Sequence, residues 1–248
     1  MTTLGSASAV CYRKHDHEYQ ERNYQKAFKC DGCITQGSGK RYRCDHCGRE
    51  LHKQCRFPKQ KISHEFFKGS SFKFFEEPQT ECGNGKCKEH GRCCDVCGKD
   101  ICGFNYHCED KGWDLHPCCN NLPKKLCIDE TIFEIKKGVS SKCMWCDQKT
   151  VSGGSKNIPG WSYVSNCRRY HFHVFCVMEL LHGAADKNGN LSLENMNLNQ
   201  LAKSHGNGKV EGKLWRIAKL ILKTILSILM GDATTMLSHV VVDFLVPS

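Results

Sequence analysis

Several absences bound this chain before any motif is read. The opening stretch, MTTLGSASAVCYRKHDHEYQ, has no apolar segment of the kind a secretory signal needs. The expectation is an intracellular protein, in cytoplasm or nucleus, with the membrane periphery as a further option. In that compartment thiols stay reduced, and clustered cysteines read as metal ligands rather than disulfides. No uncharged run reaches the roughly 18 residues of a spanning helix. Lys223 interrupts the apolar segment near the C-terminus, and Asp232, His239 and Asp243 break its remainder. No glycine-rich phosphate loop and no nucleophile elbow occurs, so hydrolase and transferase readings have no footing and the chain is expected not to be an enzyme.

What is present is sulfur and imidazole. The 248 residues include 20 cysteines and 13 histidines, about one cysteine in every twelve positions. Units too small for a large core need metals or disulfides to hold them, so several small metal-stapled modules fit better than one or two ordinary domains. The formal charge of +10 overstates the basicity of such a protein. Three thiolates, one imidazole and Zn²⁺ together carry one net negative charge, so filled sites would cancel part of the excess.

The first repeat, residues 17–64, carries His17, Cys30, Cys33, Cys44, Cys47, His52, Cys55 and His64, in the order H-x12-C-x2-C-x10-C-x2-C-x4-H-x2-C-x8-H. Eight donors suffice for two tetrahedral zinc ions. Gly37 and Gly39 suit a hairpin tip between the two C-x2-C knuckles, and His52 to Cys55 suits the start of a short helix. The second repeat, residues 65–127, offers Cys94, Cys97, His116 and Cys119 as one full set. Its other set is damaged, because Lys111 stands where the first repeat has Cys47. Cys108 and Cys127 remain there, with Cys82, Cys87, His90 or His107 as completions. The third repeat, residues 128–182, offers Cys143, Cys146, His173 and Cys176, with only Cys167, His171 and His182 left for a second set. Its phrase GWSYVSNCRRYHFHVFC predicts strands feeding a helix.

Residues 1–16 form a short N-terminal tail and residues 183–212 a polar linker. Within the linker, DKNGNLSLE (Asp186 to Glu194) has the alternating oxygens of a calcium loop. Leu191 occupies the position that needs glycine, so a solvated turn is the expectation. In residues 213–246, Arg216, Lys219, Lys223 and Ser227 make one stripe, and Leu214, Ile217, Ile221, Ile225 and Ile228 another. That is a basic amphipathic helix, suited to a membrane surface, a partner's groove, or the chain's own modules.

Three phrases, FKCDGC…GSGKRYRCDHCGRELHKQC, YHCEDKGWDLHPCCNNLP and SKCMWC…GWSYVSNCRRYHFHVFC, together resemble a known family. The ligand order of the first repeat is similar to the phorbol-ester/diacylglycerol-binding zinc finger of protein kinase C. The wording is closer to its divergent cysteine/histidine-rich relatives in plants. The resemblance covers about residues 15–182. It implies small zinc-stapled α+β modules in tandem, short β-hairpins plus a short helix each, before the amphipathic tail. It also implies an interleaved pairing, with His17, Cys44, Cys47 and His64 on one zinc and Cys30, Cys33, His52 and Cys55 on the other. His64 stands where the parent pattern ends in cysteine.

The parent domain inserts an apolar loop tip into lipid. Here the loop, Thr35 to Arg41, is polar, and burying it in acyl chains is unfavourable; diacylglycerol binding is not expected. Lys40 and Arg41 remain available for headgroups. The leading expectation is a non-catalytic zinc adaptor in intracellular signalling, with protein partners and an anionic membrane reached through residues 213–230. Lys40, Arg41, Arg43, Arg49, Lys53, Arg56, Lys59 and Lys61, with Tyr42 and Phe57 among them, support nucleic-acid binding as the alternative. Cys143-Met144-Trp145-Cys146 supports, more distantly, a thiol–disulfide oxidoreductase, which would need a βαβ context absent here.

Overall fold

The computed structural model describes residues 15–79, 92–128, 131–151 and 160–183. The linker beyond Gly183, the amphipathic tail, Cys82, Cys87 and His90 lie outside them. The described residues are β-rich with few helices: three antiparallel sheets and two α-helices.

The first sheet runs β1 (Tyr19–Lys29), β2 (Gln36–Cys44) and β3 (Glu50–Leu51), followed by helix α1 (Lys53–Arg56). The helix predicted to open near His52 is therefore present as a single turn. Gly37 and Gly39 are not at a hairpin tip. They lie inside β2, paired with Phe28 and Tyr24 of β1, and the β1–β2 turn is the Cys30–Thr35 knuckle itself. The reason lies across the sheet: a Cβ at Gly37 would run into the rings of His52 and Phe28. On the same face of β2, Arg41 is only 3% exposed. Its guanidinium lies 4.2 Å over Phe28 and 3.2 Å from Glu50 Oε2, and it donates to the carbonyls of Tyr24 and Lys26. Arg41 is therefore a core residue, and the headgroup contact expected of it is not available.

The second sheet orders β4 (Lys61–Ser63), β5 (Ser71–Phe75), β6 (Asn105–Cys108) and β7 (Trp113–Leu115) side by side. β4 falls within the span 17–64 read as the first repeat, yet it pairs with β5 through Ile62 and Phe72. Ile62 faces inward there, in the same core as Phe72. The third sheet is β8 (Lys125–Ile128), β9 (Thr131–Lys137), β10 (Trp161–Ser165) and β11 (His171–His173), in the order β11-β10-β9-β8. Helix α2 (Val174–Gly183) comes directly after β11.

With the spans 17–64, 65–127 and 128–182 taken as the first, second and third units, one constant chain offset maps the first onto the second: Cys30 on Cys94, Gly32 on Val96, Tyr42 on Tyr106, Cys44 on Cys108, Cys47 on Lys111, Leu51 on Leu115, His52 on His116 and Cys55 on Cys119. Strand registers repeat with it, Tyr42 opposite Leu51 and Tyr106 opposite Leu115; in the third unit Tyr163 lies opposite Phe172. The joints repeat too. Phe104 N–H donates to Gly32 O at 2.9 Å, and Trp161 N–H donates to Val96 O at 2.8 Å. Equivalent carbonyls thus receive the next unit. Glycine precedes each donor: a Cβ at Gly103 would strike Gly32 O, and Gly160 has φ +59°. In the first unit the matching pair is Gly39-Lys40, and Lys40 is exposed.

The second and third units share one core, built on Phe67, Phe72, Leu115, Leu126, Phe133, Trp161, Tyr163 and Phe172, each no more than 1% exposed. The first unit has a much smaller one, of Phe28, Leu51 and three cysteines, with Phe104 of the second unit packed on it. A core that small cannot hold a unit alone.

Candidate metal centres

Four C-x2-C knuckles share one turn. The first cysteine's carbonyl accepts from the N–H four residues on: Ile34 to Cys30, Gly48 to Cys44, Gly98 to Cys94 and Asp147 to Cys143, at 2.7–2.9 Å. The residue at that fourth place has positive φ in every case, +62°, +75°, +73° and +55°. Glycine reaches that conformation without strain. The turn points both thiols of a pair to the same side, where a histidine and a further cysteine or histidine arrive.

The result is four groups of four donors, with all the ligand atoms of a group within 4.8 Å of one another: His15, His17, Cys44 and Cys47; Cys30, Cys33, His52 and Cys55; Cys94, Cys97, His116 and Cys119; and Cys143, Cys146, His173 and Cys176. The last three are built alike. Histidine ends or directly follows the final strand, and the fourth ligand lies three residues later in a helical turn. Nδ1 of His52, His116 and His173 lies 3.4 Å from the second thiol of its knuckle, Cys33, Cys97 and Cys146 respectively. It lies 3.7–4.0 Å from the last cysteine. A zinc ion bound tetrahedrally to one sulfur and one nitrogen sets them about 3.5 Å apart. These groups could hold a metal ion.

The chemistry of the donors fits a divalent cation. Asp100 O lies 3.0 Å from His116 Nε2, and Lys149 O lies 3.4 Å from His173 Nε2. Those carbonyls hold the proton on Nε2 and leave the Nδ1 lone pair free, the usual outer partner of a metal-bound histidine. Backbone N–H groups donate to the sulfurs: His116 to Cys94, and both Trp145 and His173 to Cys143, each at 3.4 Å. Without a cation the crowded thiols are in conflict. In the fourth group Cys143 and Cys176 hold Cys146 far below its ordinary range, while Cys143 and Cys146 push Cys176 far above it. Burial pulls His173 down, but the sulfurs of Cys143 and Cys146 outweigh it and raise it to about 10. A dication lets all three thiols ionise together.

The first group is the most open, with Cys47 exposed. His15 Nε2 lies 3.5 Å from Cys44 Sγ, and His17 Nδ1 lies 3.4 Å from Cys47 Sγ. Hydrogen bonds from His15 and then His17 lower the Cys44 thiol to about 5. His15 fills the place expected for His64. The alternating His15-Asp16-His17 puts both rings on one side of an extended segment, a signal that the C-x2-C spacing alone does not reveal.

His64 is drawn elsewhere. Its Nδ1 accepts from Phe66 N–H at 3.2 Å, at the start of a short 3₁₀ turn (Glu65–Phe67), and its ring rests on Phe66 and Trp161. It belongs to the shared core of the second and third units and not to the first group.

The remaining expected ligands join no group of three or more among the described residues. Cys108 keeps its knuckle turn, since Gly112 N–H donates to Cys108 O at 2.8 Å. Its thiol is buried in the hydrophobic core, and Lys111 replaces the second cysteine. In the third unit Ser165 takes the matching place, and its Oγ lies 3.3 Å from exposed Cys167. His171 Nδ1 meets Ser141 Oγ at 3.2 Å, and burial, then His173, lower its pKa to about 4. His107 lies in a buried network with Arg92 and Asp114. Cys127 falls in β8 and His182 in α2.

Among the described residues, the fold and the donor sets define a β-rich structure with four Cys/His groups able to hold metal. In comparisons with known proteins the chain matches no family model, no curated protein and no solved structure.

Proposed function

We propose that this chain is a zinc-binding, non-catalytic adaptor of intracellular signalling, a divergent relative of the phorbol-ester/diacylglycerol-type zinc fingers. On this reading it is three zinc-stapled modules in tandem followed by an amphipathic helical tail. The observation that carries it is that each centre offers four protein donors. Zinc closed by four protein ligands has no position for an activated water, and its work is structural. The constant offset between the first two units and the repeated docking carbonyl support the tandem arrangement. Diacylglycerol is not the ligand proposed, because the Thr35–Arg41 segment presents no apolar tip and Arg41 is committed inside the sheet. Arg43, which also pairs with Glu50 at 3.0 Å, leaves the basic surface smaller than the sequence suggests, so protein partners are favoured over nucleic acid. An anionic membrane reached through residues 213–230 is the second contact.

The test is removal of the metal. The purified chain should carry zinc, and dialysis against a strong chelator should collapse its circular dichroism spectrum cooperatively. A spectrum unchanged by chelation would sink the proposal. Co-sedimentation with anionic vesicles, comparing the full chain with one ending at Gly212, then tests the membrane arm.

A further inference from the structure

The joint between the first two units carries a groove of about 330 Å³ to which both contribute. One wall is Gln54 of α1 and the chain leaving that helix, through Phe57 and Lys59 into β4. The other is Tyr106 of β6 with Pro117, Asn120 and Asn121. β4 is the open edge of its sheet; Ile62 turns inward there while Lys61 and Ser63 stay exposed. The Tyr106 hydroxyl, 4% exposed as a residue, accepts from Lys59 N–H at 3.1 Å and fixes the chain at that point.

The groove is short of three kinds of partner. Lys59 and Lys61 are exposed, and among the described residues neither has an ion-pair partner and no carboxylate lines the groove. Asn120 donates through Nδ2 to Asn121 Oδ1 at 3.3 Å, but its own Oδ1 is buried with no hydrogen-bond partner. A buried acceptor left that way costs free energy until a donor reaches it. Phe57 at the rim is 57% exposed, the most of any large apolar side chain described. Carboxylates for the lysines, an N–H for Asn120 and an apolar side chain for Phe57 are together the chemistry of an acidic peptide, and an open strand edge is where extended chain docks.

The second joint has the same framework without this chemistry. The offset between units carries β4 onto β8, Phe57 to Asn121, Lys59 to Pro123 and Lys61 to Lys125. Tyr163 takes the place of Tyr106, and its hydroxyl donates to Pro123 O at 2.9 Å. A tyrosine is thus anchored on the same chain position at both joints. There the first lysine has become proline, Lys125 lies 3.4 Å from Glu134, and the exposed ring has become an amide. The free charge and the bare ring belong to the first joint and are not needed to build one.

We propose that this groove docks an acidic peptide segment of a protein partner, laid extended along β4 with its carboxylates on Lys59 and Lys61, an N–H on Asn120 Oδ1 and an apolar side chain on Phe57. The proposal rests on the adaptor reading above and names the chemistry of its partner.

Fluorescence anisotropy on the full chain tests it, with three labelled probes: a peptide of alternating glutamate and tyrosine, its glutamine counterpart, and oligodeoxythymidylate. The glutamate peptide should bind, and the glutamine peptide should bind at least about tenfold more weakly. Lys59→Gln with Lys61→Gln should weaken binding of the glutamate peptide about tenfold, and Phe57→Ser about fivefold. Arg168→Gln with Arg169→Gln removes the same charge from exposed positions of the third unit and should leave binding unchanged. Equal losses from the two double variants would reduce the effect to net charge and overturn the groove. Tighter binding of the oligonucleotide, lost on Lys59→Gln with Lys61→Gln, would make it a nucleic-acid site and overturn the peptide. Zinc measured on the same samples keeps the two readings apart. A zinc-loaded chain that ignores the glutamate peptide overturns the groove and leaves the metal reading standing; a metal-free chain that binds it does the opposite.

Discussion

The imidazole of His64 lies against the indole of Trp161, ring centroids 4.9 Å apart, so a residue that sequence order offered to a metal instead joins β4 to β10. Trp161 also docks the third unit onto Val96 O. His64→Ala should leave the metal content intact and destabilise the shared core by about 1–2 kcal/mol. His15→Ala should do the reverse, removing one ion with little effect on that core. Zinc stoichiometry and urea midpoints on both variants decide the matter; loss of an ion from His64→Ala would restore it as a ligand.

His64 also sets a pH dependence. Burial holds its pKa below the ordinary 6.5, with nearby Lys124 adding in the same direction against Glu65. A base whose folded pKa is depressed contributes its full stability above the unfolded value. That contribution is lost as pH falls below about 6.5 toward the folded pKa. Compared with His64→Asn, whose side-chain oxygen can still accept from Phe66 N–H, the wild type should lose stability between pH 7.5 and 5.5. A difference between the two proteins that does not change with pH would count against this.

Gly37→Ala should be among the most damaging small changes in the first unit. The new methyl meets His52 and Phe28, and overpacking of that kind costs about 1–3 kcal/mol. Because His52 is the group displaced, one ion should leave earlier than the others in a chelator titration followed by a zinc dye. Ala at Gly69, where nothing lies within 4 Å but φ is +73°, should cost about 1 kcal/mol from backbone strain and release no ion early.

Arg41→Met should destabilise the first unit by about 2–3 kcal/mol, near the lower end for breaking a buried pair because Arg43 still neutralises Glu50. Lys40→Ala, one residue away, removes an exposed contact with Glu21 and should change stability by less than about 0.5 kcal/mol. Thermal melts of the zinc-loaded proteins check both. Equal effects would mean that Arg41 is not the core residue its contacts indicate.

The sequence by itself determined the three complete sets of the form C-x2-C…H-x2-C. Their donors are close in the chain, and the knuckle and helical turn that carry them are local structures fixed by a few residues. It also marked the damage at Lys111, because a lysine cannot take a thiolate's place. Tertiary structure alone decided the rest. Whether His15 or His64 completes the first centre depends on which residue an extended segment returns to Cys44, and His64 had a stronger claim on it in Trp161, a partner far along the chain. Gly37 looks the same in a turn or in a strand; only the rings across the sheet showed why no side chain fits there. Packing between distant segments chose among residues that local spacing had left equivalent.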